Sequence, residues 1–173
     1  MDIITRITRQ RGKMQIAISE QETIVVPLSL FRERPLTEGQ PINLEEYDNW
    51  LMVRQYRHAL DRAVACLAAR AHSKHEIEQK LLRVGYRPCT VEMVLYKLER
   101  EHLLNDADFA RQWVEARSGR KLGRSRIAQE LRRKGIDADE AEEALSAIGE
   151  DAQLADAIAL AEKAAARAKS DCL

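Results

Sequence analysis

The sequence predicts a mainly α-helical protein: tandem three-helix repeats in an elongated stack, preceded by a small antiparallel β segment. Three observations carry this expectation. The 173-residue chain is 45% hydrophobic and 32% charged but only 5% aromatic, and a composition rich in Ala, Leu, Glu, Arg and Lys favours helices over sheets. The segment SKHEIEQKLLRVGY, residues 73–86, returns fifty residues later as GRSRIAQELRRKGI, residues 123–136. Only the first thirty residues depart from helical patterning, with the short β-branched runs IITRIT, MQIAIS and TIVVPL.

Taken in order, those three runs read as a three-stranded meander, or as a hairpin plus one strand, broken at RQRGK and at EQE. Alone such a sheet is marginal and needs a helix or a partner to cover it. FRERPLTEGQPI, with Pro35, Gly39 and Pro41, reads as a linker. Asn43 followed by Glu46 has capping-box spacing. It opens a helical stretch in which Leu44, Tyr47 and Leu51 share a face that Tyr56, Leu60, Ala63, Val64 and Leu67 continue. The periodicity fits one long helix or two joined near residues 52–55. Ser73 and Glu76 form a second capping box, on a helix that stops at Gly85. Pro88 starts a helix over about 89–101 with Val91, Val94, Leu95 and Leu98 as its buried stripe. Asn105 or Asp106 caps a helix to about Ser118, and SGRKLG is a loop. A helix from Arg124 ends at Gly135. Asp137 caps the next, to about Ile148, and an Ala-rich helix covers roughly 152–169.

The repeat is larger than the quoted segment. At an offset of fifty, Ile77 matches Ile127, Leu81 matches Leu131, Gly85 matches Gly135, Glu92 matches Glu142 and Leu95 matches Leu145. The preceding helices match at an offset of 47, through Ala63 with Ala110, Ala69 with Ala116 and Arg70 with Arg117, and a three-residue insertion in SGRKLG accounts for the difference. Each unit is therefore helix, helix, glycine stop, helix, and such units bury their apolar stripes by stacking. The expected organisation is a β-rich segment and linker over 1–42, a first helical repeat with its lead-in helix over 43–104, a second three-helix repeat over 105–148, and a partial third repeat, its first helix only, over 149–173.

Charge separates the two copies. Net charge is zero, so the whole molecule is no generic polyanion binder. Yet residues 111–134 hold nine Arg or Lys against two acids, and residues 137–156 hold eight acids and no base. With Ile127 and Leu131 buried, Arg126, Gln129 and Arg133 fall on the opposite face of their helix, where the first copy has Glu76, Gln79 and Arg83. That face is either a solvated helix surface or a basic surface for carboxylates or phosphates. The residues picked out for partner or DNA contact are Arg117, Arg120, Lys121, Arg124, Arg126, Arg132, Arg133 and Lys134. The Phe109 and Trp113 pair reads as core between repeats rather than as a base-stacking platform.

Enzyme chemistry finds no support in the residues. His58, His72, His75 and His102 with Cys66 lack zinc-ligand spacing. GRKLGRS lacks the order of a phosphate-binding loop, and no nucleophile–base pair stands out. No cofactor and no metal are expected. An odd cysteine count (Cys66, Cys89, Cys172) argues against a disulfide framework, and no run approaches the ~20 apolar residues of a membrane span. The expectation is a cytoplasmic monomer with no membrane partner.

LAARAHSKHEIEQKLLRVGY, with VLYKLEREHLLNDADFARQWVEARSGRKLGRSRIAQELRRKGID, resembles the RecX family of bacterial RecA regulators. The resemblance runs through Arg70, Ser73, Glu76, Lys80, Leu81, Gly85 and Tyr86, then Leu104, Asn105, Asp106, Phe109 and Ala110, then Glu130, Leu131, Lys134, Gly135 and Ile136. It covers roughly residues 57–148. It implies a non-enzymatic modulator that binds the RecA–DNA filament and inhibits ATP hydrolysis and strand exchange in recombination and DNA repair. The basic face, read from charge alone, adds an expected contact with single- or double-stranded DNA. Family members usually carry three repeats, and here only the helix after Gly149 represents the third. The rival reading is a DNA-binding helical module, sequence-tolerant or operator-specific, with helix 124–134 in a groove.

Overall fold

The computed structural model describes residues 2–19, 22–118, 123–146 and position 158. The chain is mainly helical, with a small antiparallel sheet at its N-terminal end, and it divides into two compact units, Met1–Leu104 and Asn105–Leu173. Each has its own hydrophobic core.

The first unit opens with β1 (Asp2–Gln10), β2 (Lys13–Ile18) and β3 (Glu22–Pro27), joined as an antiparallel meander. Strict alternation would put Ile4 and Ile7 on opposite faces. A register shift between Ile4 and Arg6 inserts one residue, so that Ile4 pairs with Ile18 and Ile7 with Ile16. Both isoleucines thereby reach the same core as Val26.

Two elements correct the sequence expectation. Helix α1 (Leu28–Glu33) begins where the third strand was expected to run on into a linker. Strand β4 (Pro41–Ile42) adds to β1, so the sheet has four strands in the order β3-β2-β1-β4. Neither short element has a propensity signal of its own. Burial explains both, since Leu30 of α1 is wholly buried and Ile42 of β4 nearly so.

Helix α2 (Leu44–Ala69) is one continuous helix of 26 residues. Asn43 caps it by accepting from the Glu46 backbone N–H at 3.2 Å, while the Glu46 carboxylate pairs with Arg34 at 2.7 Å. Its buried row is Tyr47, Leu51, Gln55, Ala59 and Ala63. The predicted stripe holds except at Val64, which is exposed: Tyr56, Leu60 and Leu67 are half-buried and pack against the same core. A polar Gln55 stands in the row because its side-chain carbonyl accepts from the Arg87 backbone N–H at 3.0 Å.

Helix α3 (Lys74–Val84) carries the full capping box, Ser73 accepting from the Glu76 N–H and Glu76 accepting from the Ser73 N–H. It stops at Gly85, whose φ of 100° favours glycine. A Cβ there would also lie 3.0 Å from the Lys13 Cβ and 3.1 Å from a Val25 methyl. Helix α4 (Pro88–Arg100) starts on Pro88 and buries Val91, Val94, Leu95 and Leu98, as its periodicity predicts. Arg87 fixes the entry of α4 by a two-nitrogen pair with Asp48, and this guanidinium holds the Asp48 carboxyl below its usual range.

The second unit repeats the plan with α5 (Asp106–Ser118), α6 (Arg124–Arg133) and α7 (Ala138–Ser146). Asn105 is the α5 cap, accepting from the Asp108 N–H at 3.1 Å. Ile127 and Leu131 are buried as Ile77 and Leu81 are, and Gly135 takes the positive φ of Gly85. The Ala-rich helix expected over 152–169 lies outside the described residues, apart from position 158, which is helical. No described helix is long and apolar enough to cross a membrane.

Candidate partner-binding face

The candidate face is built on α6. Ile127 and Leu131, both at 0% exposure, turn one side of this helix into the core of the second unit. Arg126, Gln129, Arg132 and Arg133 are left on its outer side, and all four are exposed. The N-terminus is unusual for its charge. Gly123 is the N-cap and makes no side-chain cap bond, no acid stands in the first turn, and Arg124 and Arg126 do. Free backbone N–H groups and a positive dipole end already favour an anion there, and Arg126 adds to that field.

The structure sorts the eight basic candidates into three groups. Arg126, Arg132 and Arg133 face outward and make no ion pair among the described residues. Arg117, Arg124 and Lys134 are held within the unit. Arg117 donates to Glu130 at 2.9 Å, and its guanidinium sits 4.4 Å from the centre of the Trp113 ring. Arg124 pairs with Glu142. The Lys134 ammonium lies 4.1 Å from the Trp113 ring centre and 5.5 Å from that of Phe109. Arg120 and Lys121 lie outside the described residues.

Phe109 and Trp113 stack at 5.7 Å within the core of the second unit itself. The Trp113 ring N–H donates to Glu130 at 3.0 Å, so Glu130 ties Trp113 and Arg117 of α5 to α6 with one carboxylate oxygen. Sequence reading missed this knot. The available signal was a second reversal in the repeat, Lys80 in the first copy and Glu130 in the second. Among the described residues no group of three His, Cys, Asp or Glu side chains is placed to hold a metal ion.

The arrangement suits multivalent anion contact: a helix with a buried apolar seam, and three guanidiniums that pair with no carboxylate among the described residues. Each can take a phosphate or a carboxylate in a two-nitrogen fork.

Known proteins carry the same two units. Residues 59–98 match the pattern described as "RecX, first three-helix domain", and residues 105–145 that described as "RecX, second three-helix domain". A protein named Regulatory protein RecX from Prosthecochloris aestuarii is 44% identical over 90 residues, covering 51% of this chain and 60% of that protein. A protein of the same name from Clostridioides difficile is 29% identical over 175 residues, covering 99% of this chain and 82% of that protein. The match thus spans 60%, 57% and 47% of three curated relatives, and more of others. The crystal structure of a regulatory protein RecX superposes with a TM-score of 0.67 at 23% identity, over 98% of this chain and 85% of that one, which supports the shared fold. With both three-helix domains matched in order and relatives aligning along its length, the chain belongs to the RecX family.

Proposed function

We propose that this protein is a non-enzymatic regulator of RecA, acting in the cytoplasm as a monomer on the RecA–DNA filament to restrain ATP hydrolysis and strand exchange. The supporting observation is the outward arginine face of α6, where Arg126, Arg132 and Arg133 stand beside an uncapped helix N-terminus. A nucleoprotein filament offers phosphates and acidic side chains in a repeating array, and a multi-arginine face meets both. The Arg124–Glu142 pair and the Arg117–Glu130 pair limit the reach of that field by neutralising its flanks. DNA contact, single- or double-stranded, is then sequence-tolerant, because these contacts read charge rather than base edges.

The test is RecA's DNA-dependent ATP hydrolysis with this protein titrated in below the RecA concentration. Inhibition is expected at substoichiometric ratios. Reversing Arg126 and Arg133 to Glu should weaken it, with helical content and melting temperature close to wild type. The salt slope of binding should fall by about two, one for each phosphate that an arginine no longer neutralises. Unchanged inhibition by the double variant would remove this face from the mechanism. Tight binding of a palindromic duplex by a dimer, with no effect on RecA, would favour the operator-binding module instead.

A further inference from the structure

Helix α4 is apolar on two sides. One stripe, Val91, Val94, Leu95 and Leu98, is buried in the core of the first unit. The second runs through Cys89, Met93 and Tyr96 at i, i+4 and i+7 spacing and faces out: Met93 is 59% and Tyr96 62% exposed. With Leu82 of α3 and Pro88, this second stripe floors an open groove of about 690 Å³ between α3 and α4. The groove continues past Met93 and Tyr96 toward Tyr56 and Arg100, the latter stacked on Tyr96 at 5.9 Å. A helix apolar on both sides is expected to be covered on both.

The repeat supplies an internal control. At the same positions the second unit has Arg132 for Leu82, Asp139 for Cys89, Glu143 for Met93 and Ser146 for Tyr96. The buried positions stay apolar in both copies, as Ala141, Ala144 and Leu145 of α7 show. The three-helix scaffold therefore folds with charged and polar residues where the first unit displays Leu82, Met93 and Tyr96. Their apolar character answers to something other than the fold of the unit.

The rim states what kind of occupant fits. In its α3–α4 part the groove is lined by three carboxylates, Glu78, Glu92 and Glu99, against one cation, Lys74, which pairs with Glu99 at 2.7 Å; in the extension Lys97 is paired with Glu101. Glu78 has only the His75 ring, at 3.6 Å, and Glu92 is exposed and makes no ion pair among the described residues. An apolar floor with an acidic rim selects an apolar face flanked by Lys or Arg. The helical spacing of the floor residues suits another helix laid along α4.

We infer that the α3–α4 groove of the first unit docks a basic amphipathic helix of a partner protein, with Leu82, Met93 and Tyr96 as its apolar seat and Glu78 and Glu92 as its charge partners. This stands whether or not RecA supplies that helix. It gives the two units different chemistry: the first takes a cationic apolar segment, the second takes anions.

The probe is a fluorescein-labelled peptide of about fifteen residues, leucines at helical spacing and lysines elsewhere. Its counterpart carries glutamates for the lysines. Anisotropy with the full chain should show binding of the lysine peptide and at least about tenfold weaker binding of the glutamate peptide. The variant Met93→Glu with Tyr96→Ser, which installs the residues of the second unit, should weaken the lysine peptide at least about tenfold with an unchanged melting temperature. Bound peptide should slow alkylation of Cys89, read by mass spectrometry at that residue. No binding, equal binding of both peptides, or binding untouched by the double variant would overturn the inference. So would concentration-dependent dimerisation abolished by the double variant, which would make the occupant a second copy of this chain.

Discussion

Helices α3 and α6 occupy the same place in their units and solve the same packing problem with opposite electrostatics. In the first unit Ser73 and Glu76 cap α3, Arg70 closes on Glu76 through both terminal nitrogens at 3.0 and 3.3 Å, and Lys80 meets His72 at 2.7 Å. In the second unit the charges at two positions are exchanged. Arg126 stands where Glu76 stood and Glu130 where Lys80 stood. Arg117, the counterpart of Arg70, has no carboxylate at the helix start and turns instead to Glu130, one turn further along. The cap is gone, and Arg126 is left with no ion pair among the described residues. The repeat keeps its seam and frees its rim. One copy commits its charges to its own helix end, and the other turns them outward.

The equivalence of the seams can be broken first, and with the largest effect. Leu81 and Leu131 are 1% and 0% exposed. Leu81→Ala and Leu131→Ala should each cost about 2–5 kcal/mol, measured by chemical denaturation. Trp50 reports on the first unit and Trp113 on the second, each followed in a variant with the other tryptophan changed to Phe. A loss under about 1 kcal/mol at either site would mean that the two seams are packed differently, and the argument from repeat to repeat would fail.

Acid should separate the units as well, because all four histidines lie before residue 105. His72 is 4% exposed. Its Nδ1 lies 2.9 Å from the Arg70 carbonyl, which can only accept, so Nδ1 carries the proton and Nε2 accepts from the Lys80 ammonium. Burial, then the charges of Arg70 and Lys80, hold its pKa below the ordinary value, against the opposing pull of the carbonyl bond and Glu76. The unfolded chain therefore binds a proton at His72 before the folded chain does. The stability this confers is full above about pH 6.5 and is lost as pH falls through the lowered folded value. Denaturation of the wild type at about pH 7.5 and about pH 5.5 should show that loss, and His72→Gln should flatten it. The depressed Asp48 carboxyl acts at more acid pH and leaves this window clear. An equal loss in His72→Gln would remove His72 as its origin.

Local signals were legible in the sequence, and the tertiary ones were not. Caps at Asn43, Ser73, Asn105 and Asp137 and stops at Gly85 and Gly135 depend on a few neighbouring atoms, and all are present. Helix α1 and strand β4 are too short to carry periodicity and exist because Leu30 and Ile42 find a core. The stripe of α2 was legible except at Val64, which is 42% exposed, and it gave no sign that the helix buries Gln55 for a hydrogen bond to Arg87, 32 residues away. The candidate face was half legible. Its helix and its exposed side follow from the spacing of Ile127 and Leu131. Which arginines are free does not, since that rests on Glu130 and Glu142, whose reach to Arg117 and Arg124 only folding decides.

The smallest effect is the sharpest test of the comparison, because its two limbs have opposite signs. Glu76→Arg copies the second unit into the first. It removes the carboxylate from the capping box and faces Arg70 with a like charge, and it should cost about 1 kcal/mol. Arg126→Glu copies the first unit into the second. An acid in the first turn answers the helix dipole and can reach back to the helix start, so this variant should gain about 0.3–1 kcal/mol in denaturation. If Arg126 is kept for a partner, the same variant must lose salt-dependent binding to the proposed partner, the RecA–DNA filament, as it gains stability. A more stable protein that binds as well as the wild type would make the arginine a solvated bystander. A less stable one would show that Arg126 already answers a carboxylate of its own chain. Only the pairing of higher stability with weaker binding makes the reversal between the repeats a device for contact.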